Sequence, residues 1–356
     1  MPRQTIDHST IRKKLLDSVS NILVSRCKVE LPAIDLPDLS AVQVEEPPIR
    51  PLEVGDVVLA FETIRRDFAM SQEREAGAVL EVGDEAVVDV IAYSEGKIVP
   101  FSLRSALTVV VGEDPFWPEL GQALVGCPVG SSDTFPLALP ADPEWGRAVD
   151  EEVQVACTVR EARVLSLPEP NDTDFWAATG LGNSLNEIMD ALARQCMEQR
   201  IQEQQDYLRE LVLLAVLEKS DFEVPGPLVD AEIRDWFRRH EGDVMVNWGL
   251  SADEQAEALR HWLEDPLTVL EAQRRVAGAM LLGTVARVHQ IEVTKAEITE
   301  YAAGIAEEMQ RTEGIHLDVA DFVKHLSGKN AEALKANLLS TLALEHLVHA
   351  VQISDA

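Results

Sequence analysis

Ser220-Asp221-Phe222-Glu223-Val224-Pro225-Gly226-Pro227-Leu228-Val229-Asp230-Ala231-Glu232-Ile233 separates two runs of helical periodicity. Proline lacks a backbone N–H and its ring clashes with the preceding helical turn. Each proline also drives the residue before it toward extended geometry. The helix approaching this stretch therefore ends near Lys219, and a new one starts at about Pro227. Beyond it Leu228, Val229, Ile233, Trp236 and Phe237 recur at helical spacing, which predicts one apolar helix face. The stretch is a hinge at the start of a helical arm. A proline-broken helical hairpin of any kind would show the same pattern.

Outward from the hinge the chain reads as helical on both sides. Ser184-Leu185-Asn186-Glu187 has the spacing of a capping box, in which a Ser hydroxyl and a Glu carboxylate satisfy backbone donors at a helix start. The helix it opens should run to about Lys219, with the polar middle Gln195–Asp206 as a solvated connector. Ser251-Ala252-Asp253-Glu254 and Thr294-Lys295-Ala296-Glu297 are further capping boxes. They predict helices at about 251–264, 266–289, 294–311, 318–326 and 330–350, with Pro266 dividing the first two.

Residues 81–166 change period. Short runs of β-branched and aromatic residues lie at 86–93, 107–111, 134–139 and 153–159, separated by turn residues such as Glu95-Gly96 and Pro140-Ala141-Asp142. They predict a small antiparallel sheet, with one short helix from Pro118 to Val125. Upstream, Pro51 to Met70 reads as a helix with Val54, Val57, Val58, Phe61, Ile64 and Phe68 on one face. Residues 31–52, with five prolines, read as an extended linker rather than a folded unit. Residues 9–25 read as an amphipathic helix capped by Ser9.

Composition narrows the function classes. The net charge is −31, with 62 acidic against 31 basic residues, so a nucleic-acid surface would be repelled by most of the molecule. Residues 1–30 run the other way, with six Lys/Arg against three acids. Aromatics make up only 5% of the chain, too few for a platform on which bases stack. Cys27, Cys127, Cys157 and Cys196 form no CxxC pair and read as isolated reduced thiols of a cytoplasmic protein. No secretory leader and no apolar run long enough for a membrane span is present. His346 and His349 share a helix face without a third ligand and read as solvated, so no metal is expected. The chain has no phosphate-binding glycine loop, which argues against a nucleotide-driven machine.

Several stretches carry family resemblances. Asp221-Phe222-x-Val224-Pro225-x-x-Leu228-Val229-x-x-Glu232-Ile233 resembles the start of an arm in bacterial trigger factor, a folding chaperone. Leu36-Pro37 through Glu46-Pro47, Leu167-Pro168-Glu169-Pro170 with Asp174-Phe175, and Leu281-Leu282-Gly283-Thr284-Val285-Ala286 resemble other family segments in the same order. The likeness covers about residues 36–350. Gly112-Glu113-Asp114-Pro115-Phe116-Trp117-Pro118-Glu119-Leu120-Gly121 resembles the segment that carries the short helix beneath the pocket of FKBP-type prolyl isomerases.

The resemblance implies an α+β multidomain fold: an FKBP-like small antiparallel-sheet domain before a large all-α C-terminal domain with helical arms. The implied layout is an N-terminal helical remnant at 1–35, a linker and packing helix at 36–80, the isomerase-type domain at 81–166 and the helical chaperone domain at 167–356. It places Phe116, Trp117 and Leu120 at the pocket floor, Val90, Leu107 and Val155 on its wall, and Trp145 where a hydrogen-bonding Tyr is usual. With most wall aromatics replaced by aliphatics, weak or absent prolyl isomerase activity is expected. That reaction needs a dry pocket that twists the amide, not a nucleophile. On the arms, Met245, Val246, Trp248 and Trp262 are candidate client-binding residues, while Trp236 and Phe237 are expected to pack inside.

The function implied is an ATP-independent chaperone for unfolded or nascent polypeptide, without cofactor. An active isomerase and a dedicated chaperone for one protein partner are the alternatives. Residues 1–40 carry no Gly-Phe-Arg-x-Gly docking signature, which argues against ribosome binding. The family also admits a homodimer, which no residue here requires.

Overall fold

In the computed structural model, which describes residues 31–140, 152–313 and 329–354, the β-rich region forms one six-stranded antiparallel sheet. Its strands are β2 (Met70–Glu73), β3 (Glu85–Ser94), β4 (Lys97–Ile98), β5 (Arg104–Val110), β6 (Ser132–Ala138) and β7 (Glu152–Ser166). The 15-residue β7 alternates buried and outward residues and pairs with β2, β3 and β6. β3 lies between β7 and β5, and almost every residue along it is buried. A continuous apolar run is what a strand covered on both faces requires.

Two buried carboxylates sit on β3, Glu85 at its start and Asp89 inside the run. Asp89 of β3 accepts from the Ala106 N–H at 2.9 Å and the Ser105 hydroxyl at 3.1 Å, and it pairs with Arg160 of β7. The carboxylate thus holds β5 at the bulge between Val88 and Val90, where Ala106 takes a left-handed φ of 56°.

Sheet and short helix share one core. Val88, Val90, Val109, Val155 and Val159 pack against Trp117, Leu120 and Leu124 of and beside α2 (Pro118–Ala123). Gly121 of α2 lies hard against β5: a Cβ there would meet the Val110 carbonyl oxygen at 2.8 Å and Asp114 Cβ at 3.0 Å. Backbone cannot yield as a side chain can. Gly121→Ala is therefore expected to cost about 2 kcal/mol, to be measured as a lowered urea midpoint.

The helices before and after the sheet build a second core in the same compact unit, which comprises residues 50–200 and 233–271 of the described chain. α1 (Val54–Asp67) contributes Val57 and Phe61, α3 (Thr173–Thr179) contributes Phe175, and the first part of α4 (Leu185–Glu218) contributes Ile188 and Leu192. Phe61 and Phe175 meet edge to face with centroids 6.1 Å apart. The capping box at Ser184 is half made. Its hydroxyl accepts from Glu187 N–H, but the Glu187 carboxylate reaches Asn183 N–H rather than that of Ser184. The boxes at Ser251 and Thr294 close in both directions. The expected helix at 318–326 and the one at 9–25 lie outside the described residues.

The other compact unit comprises described residues 31–49, 201–232 and 272–354. It holds the rest of α4, the start of α5 (Gly226–Phe237), most of α8 (Pro266–Val288), α9 (Lys295–Glu313) and α10 (Lys329–Ala350). Ala279, Met280, Leu281 and Leu282 are buried in succession, so the second half of α8 is covered on all sides, while its first half keeps an exposed face that includes Glu271, Gln273 and Arg274. Val212 and Val216 of α4 and Ala343 and Leu347 of α10 complete that core.

The proline-rich stretch 31–52 is not a free linker, contrary to expectation. After a 3-10 turn at Leu39–Ala41, β1 (Gln43–Glu45) pairs in parallel with β8 (Gln352–Ser354), and Ile34, Val42 and Val44 are buried in the helical core. The prolines forbid helix but leave extended pairing open, and the small apolar residues between them supply the packing. Among the described residues no helix is long and apolar enough to cross a membrane.

Candidate functional site

The positions expected to line an isomerase pocket cluster around α2. Val90, Trp117, Leu120 and Val155 are buried core residues, while Leu107 and Phe116 are partly buried against the same core. Trp145 lies outside the described residues. Asp114 organises this corner. It is itself buried, and its carboxylate accepts from Val110 N–H at 2.7 Å and from the N–H groups of Phe116 and Trp117 at 2.8 Å each. The carboxylate thus satisfies backbone donors of the turn that leads into α2, whose own N-cap residue is Trp117. The Trp117 indole N–H then donates to the Ala138 carbonyl at 2.9 Å. Trp117 is thereby fixed edge-on in the core, with its donor already used.

Cys127 and Cys157 sit in the same core as apolar groups. Cys157 of β7 is buried, and desolvation pushes its pKa up to about 12, so it holds its proton and is a poor nucleophile.

The arm residues divide sharply. Trp236 and Phe237 are buried, as the sequence predicts. Met245 of α6 (Asp243–Asn247) and Trp262 of α7 (Ala252–Glu264) are also wholly buried, whereas Val246 is exposed and Trp248 half-buried. Val246 and Trp248 are thus the two candidate client-binding side chains within reach of solvent. Trp248 stands over a cavity of about 130 Å³ on the outer face of the sheet, lined also by Asp89, Asp133 and Thr158.

What holds Trp236 and Trp262 is a residue sequence reading did not single out. Phe101, in the connection from β4 to β5, inserts its ring between them. Its centroid is 4.2 Å from that of Trp262, 5.6 Å from Trp236 and 5.2 Å from His240. Phe237 closes the group edge-on to Trp262 at 5.7 Å. Beside it lies Glu241, inside the π turn Arg238–Gly242 and fully buried. It accepts from the Leu103 N–H at 3.3 Å and the Trp262 indole N–H at 2.9 Å. Burial pushes its pKa up to about 7, against the opposing pull of those donors and of Arg104. The one available signal was weak: an aromatic residue between Pro100 and Ser102, where a surface turn would carry a polar one.

On α10, His346 pairs not with His349 but with His289, the residue just beyond α8, their ring centroids 4.1 Å apart. Burial lowers its pKa, and the neighbouring imidazoles lower it further. Among the described residues no group of three His, Cys, Asp or Glu is placed to hold a metal ion.

The helical part has a recognisable sequence family. A model of the bacterial trigger factor protein C-terminus matches residues 184–349. That match covers just under half of the chain and marks its helical part as similar to the trigger factor C-terminus. The likeness extends beyond it. Trigger factor of Mycolicibacterium smegmatis is 26% identical over 346 residues, 94% of this chain and 69% of the relative. That of Geobacter sulfurreducens is 27% identical over 325 residues, 89% of this chain and 71% of the relative. The Corynebacterium jeikeium trigger factor is 28% identical over 276 residues, and the match spans 76% of this chain but half of that relative. A solved trigger factor chaperone, studied for promiscuous substrate recognition in folding and assembly, overlays at a TM-score of 0.35 with 18% identity, covering 90% of this chain and 73% of that one.

Proposed function

We propose that this chain is an ATP-independent, trigger-factor-like chaperone that holds unfolded or nascent polypeptide, and that its sheet domain is FKBP-like with weak or no prolyl isomerase activity. The similarity of residues 184–349 to the trigger factor C-terminus carries the chaperone reading. The net charge of −31 supports it, since it keeps a protein with exposed apolar side chains in solution. For the isomerase, the supporting observation is that Val90, Trp117, Leu120 and Val155 are packed as core. An X–Pro bond twists over a barrier of about 20 kcal/mol, and an enzyme lowers it by enclosing the proline in an apolar recess that those side chains now occupy.

Aggregation of a chemically unfolded, proline-free client should fall when the chain is added at one-to-one ratio without nucleotide. No suppression at any ratio would remove the general-chaperone reading and direct attention to a single dedicated partner. In a proline-limited refolding assay the same preparation should accelerate folding less than about tenfold. Turnover at the level of efficient isomerases would overturn the second half of the proposal.

A further inference from the structure

Val99, Pro100, Phe101, Ser102 and Leu103 are all buried, although they form a connection between two strands at the rim of the sheet. Connections normally run over the surface, because their backbone polar groups need water. Here the backbone finds other partners. The Leu103 N–H donates to Glu241, and the Ser102 hydroxyl accepts from Ala92 N–H at 3.0 Å. Phe101 holds a left-handed φ of 63°, a conformation that costs a non-glycine residue energy unless its surroundings compensate. What compensates is the aromatic socket of Trp236, Phe237, Trp262 and His240 on the arm, which belongs to the same compact unit as the sheet.

The two contacts Phe101 makes, a ring seated among rings and an adjacent backbone N–H accepted by a buried carboxylate, are ones that an aromatic residue of an extended peptide would also offer. The aromatic anchor supplies contact area, and the carboxylate takes an amide that every peptide has.

We propose that the Val99–Leu103 segment is a built-in stand-in for client: Phe101 occupies an arm socket that otherwise takes an aromatic side chain of unfolded polypeptide, so the sheet domain and the client compete for the arm. The proposal rests on the chaperone reading above. Its logic is that of any tethered competitor. The loop is held at high effective concentration by its own chain, so it excludes weak clients, and only the undocked fraction binds. A client with several aromatic residues displaces it through summed weak contacts. A client with none does not.

The test uses the full chain and two probes. The first is the nine-residue peptide Lys-Ile-Val-Pro-Phe-Ser-Leu-Arg-Ser, the sequence of residues 97–105, carrying a fluorophore. The second is reduced, carboxymethylated α-lactalbumin, which stays unfolded. Phe101→Gly empties the socket while suiting the left-handed backbone, and it should bind the peptide at least tenfold more tightly than the parent chain does. Adding Trp262→Ala should abolish that gain. Equal peptide binding by parent and Phe101→Gly chains would overturn the proposal.

Because Phe101→Gly could loosen the unit, a second measurement leaves the fold intact. With 4-fluorophenylalanine at position 101, saturating carboxymethylated lactalbumin should move the fluorine resonance from its buried to its solvent position. A resonance that stays buried while that client binds would equally overturn it. Failure of lactalbumin to bind either chain would count against the chaperone reading alone if the peptide still bound Phe101→Gly tightly, since the socket would then be real and its client of another kind.

Discussion

Asp114→Ala should cost the sheet unit about 4 kcal/mol, the largest loss expected from any single polar substitution described here. Three backbone N–H groups, the buried ones of Val110 and Trp117 and the half-buried one of Phe116, converge on this one carboxylate. Alanine leaves all three without their acceptor. Each orphaned buried donor costs roughly 1–3 kcal/mol, and local relaxation that admits water recovers part of the sum. The effect also spreads, because Asp114 fixes the segment that carries Trp117 into the core. Asp114→Asn should be milder, at about 2 kcal/mol, since its single carbonyl oxygen keeps part of the bonding while its amide faces a donor. Urea denaturation followed by tryptophan fluorescence, together with amide exchange along β3 and β7, measures both variants. An Asp114→Ala chain within 1 kcal/mol of the parent would show that the three donors find water or other acceptors at little cost.

The joint between Phe101 and the arm should weaken as pH rises from 5 to 8. Glu241 is the cause. Its pKa is raised from the ordinary glutamate value of 4.5 to about 7, first by burial and in spite of the Leu103 and Ser102 N–H groups, the Trp262 indole and Arg104. For a carboxyl raised in this direction, the folded state is unpenalised below the unfolded pKa, where both states are protonated. The penalty then grows through the interval and is complete above about 7, where the buried group must carry its charge. By pH 8 it amounts to something on the order of 3 kcal/mol.

The pH profile alone does not isolate Glu241, because other ionisable side chains lie on the same elements. Glu241→Gln does. It removes the titration, and the profile between pH 5 and 8 should flatten. It also leaves one of the two donors facing an amide nitrogen, so the variant should be less stable than the parent at pH 5 by about 1–2 kcal/mol. Fluorescence-monitored urea melts at half-unit pH steps give both numbers. A parent profile that is flat, or that rises with pH, would mean Glu241 is solvated in the working molecule.

Local chemistry made the helical half of this chain readable. Prolines 225, 227 and 266 and the capping boxes at Ser251 and Thr294 act within four residues of themselves, so they mark helix ends before any tertiary contact forms. The strands at 85–94, 104–110, 132–138 and 152–166 were legible for a related reason: β-branched runs between turn residues have few other conformations open to them. The resemblance to trigger factor was legible too, and the family model that matches 184–349 covers the half where these local signals lie.

Three things were decided only by the tertiary structure, and each turns on partners far apart in sequence. Residues 43–45 became a strand because residues 352–354, some 309 positions on, offered a free edge. Trp262 and Met245, read from the sequence as client-facing, are wholly buried. For Trp262 the reason is visible: Phe101 and Glu241 fill the space in front of it. Glu241 became a raised-pKa acid because an indole and a backbone N–H from 138 residues away enclose it. A side chain's exposure is set by what packs on it, and periodicity within one helix says which face is apolar, never what will cover it.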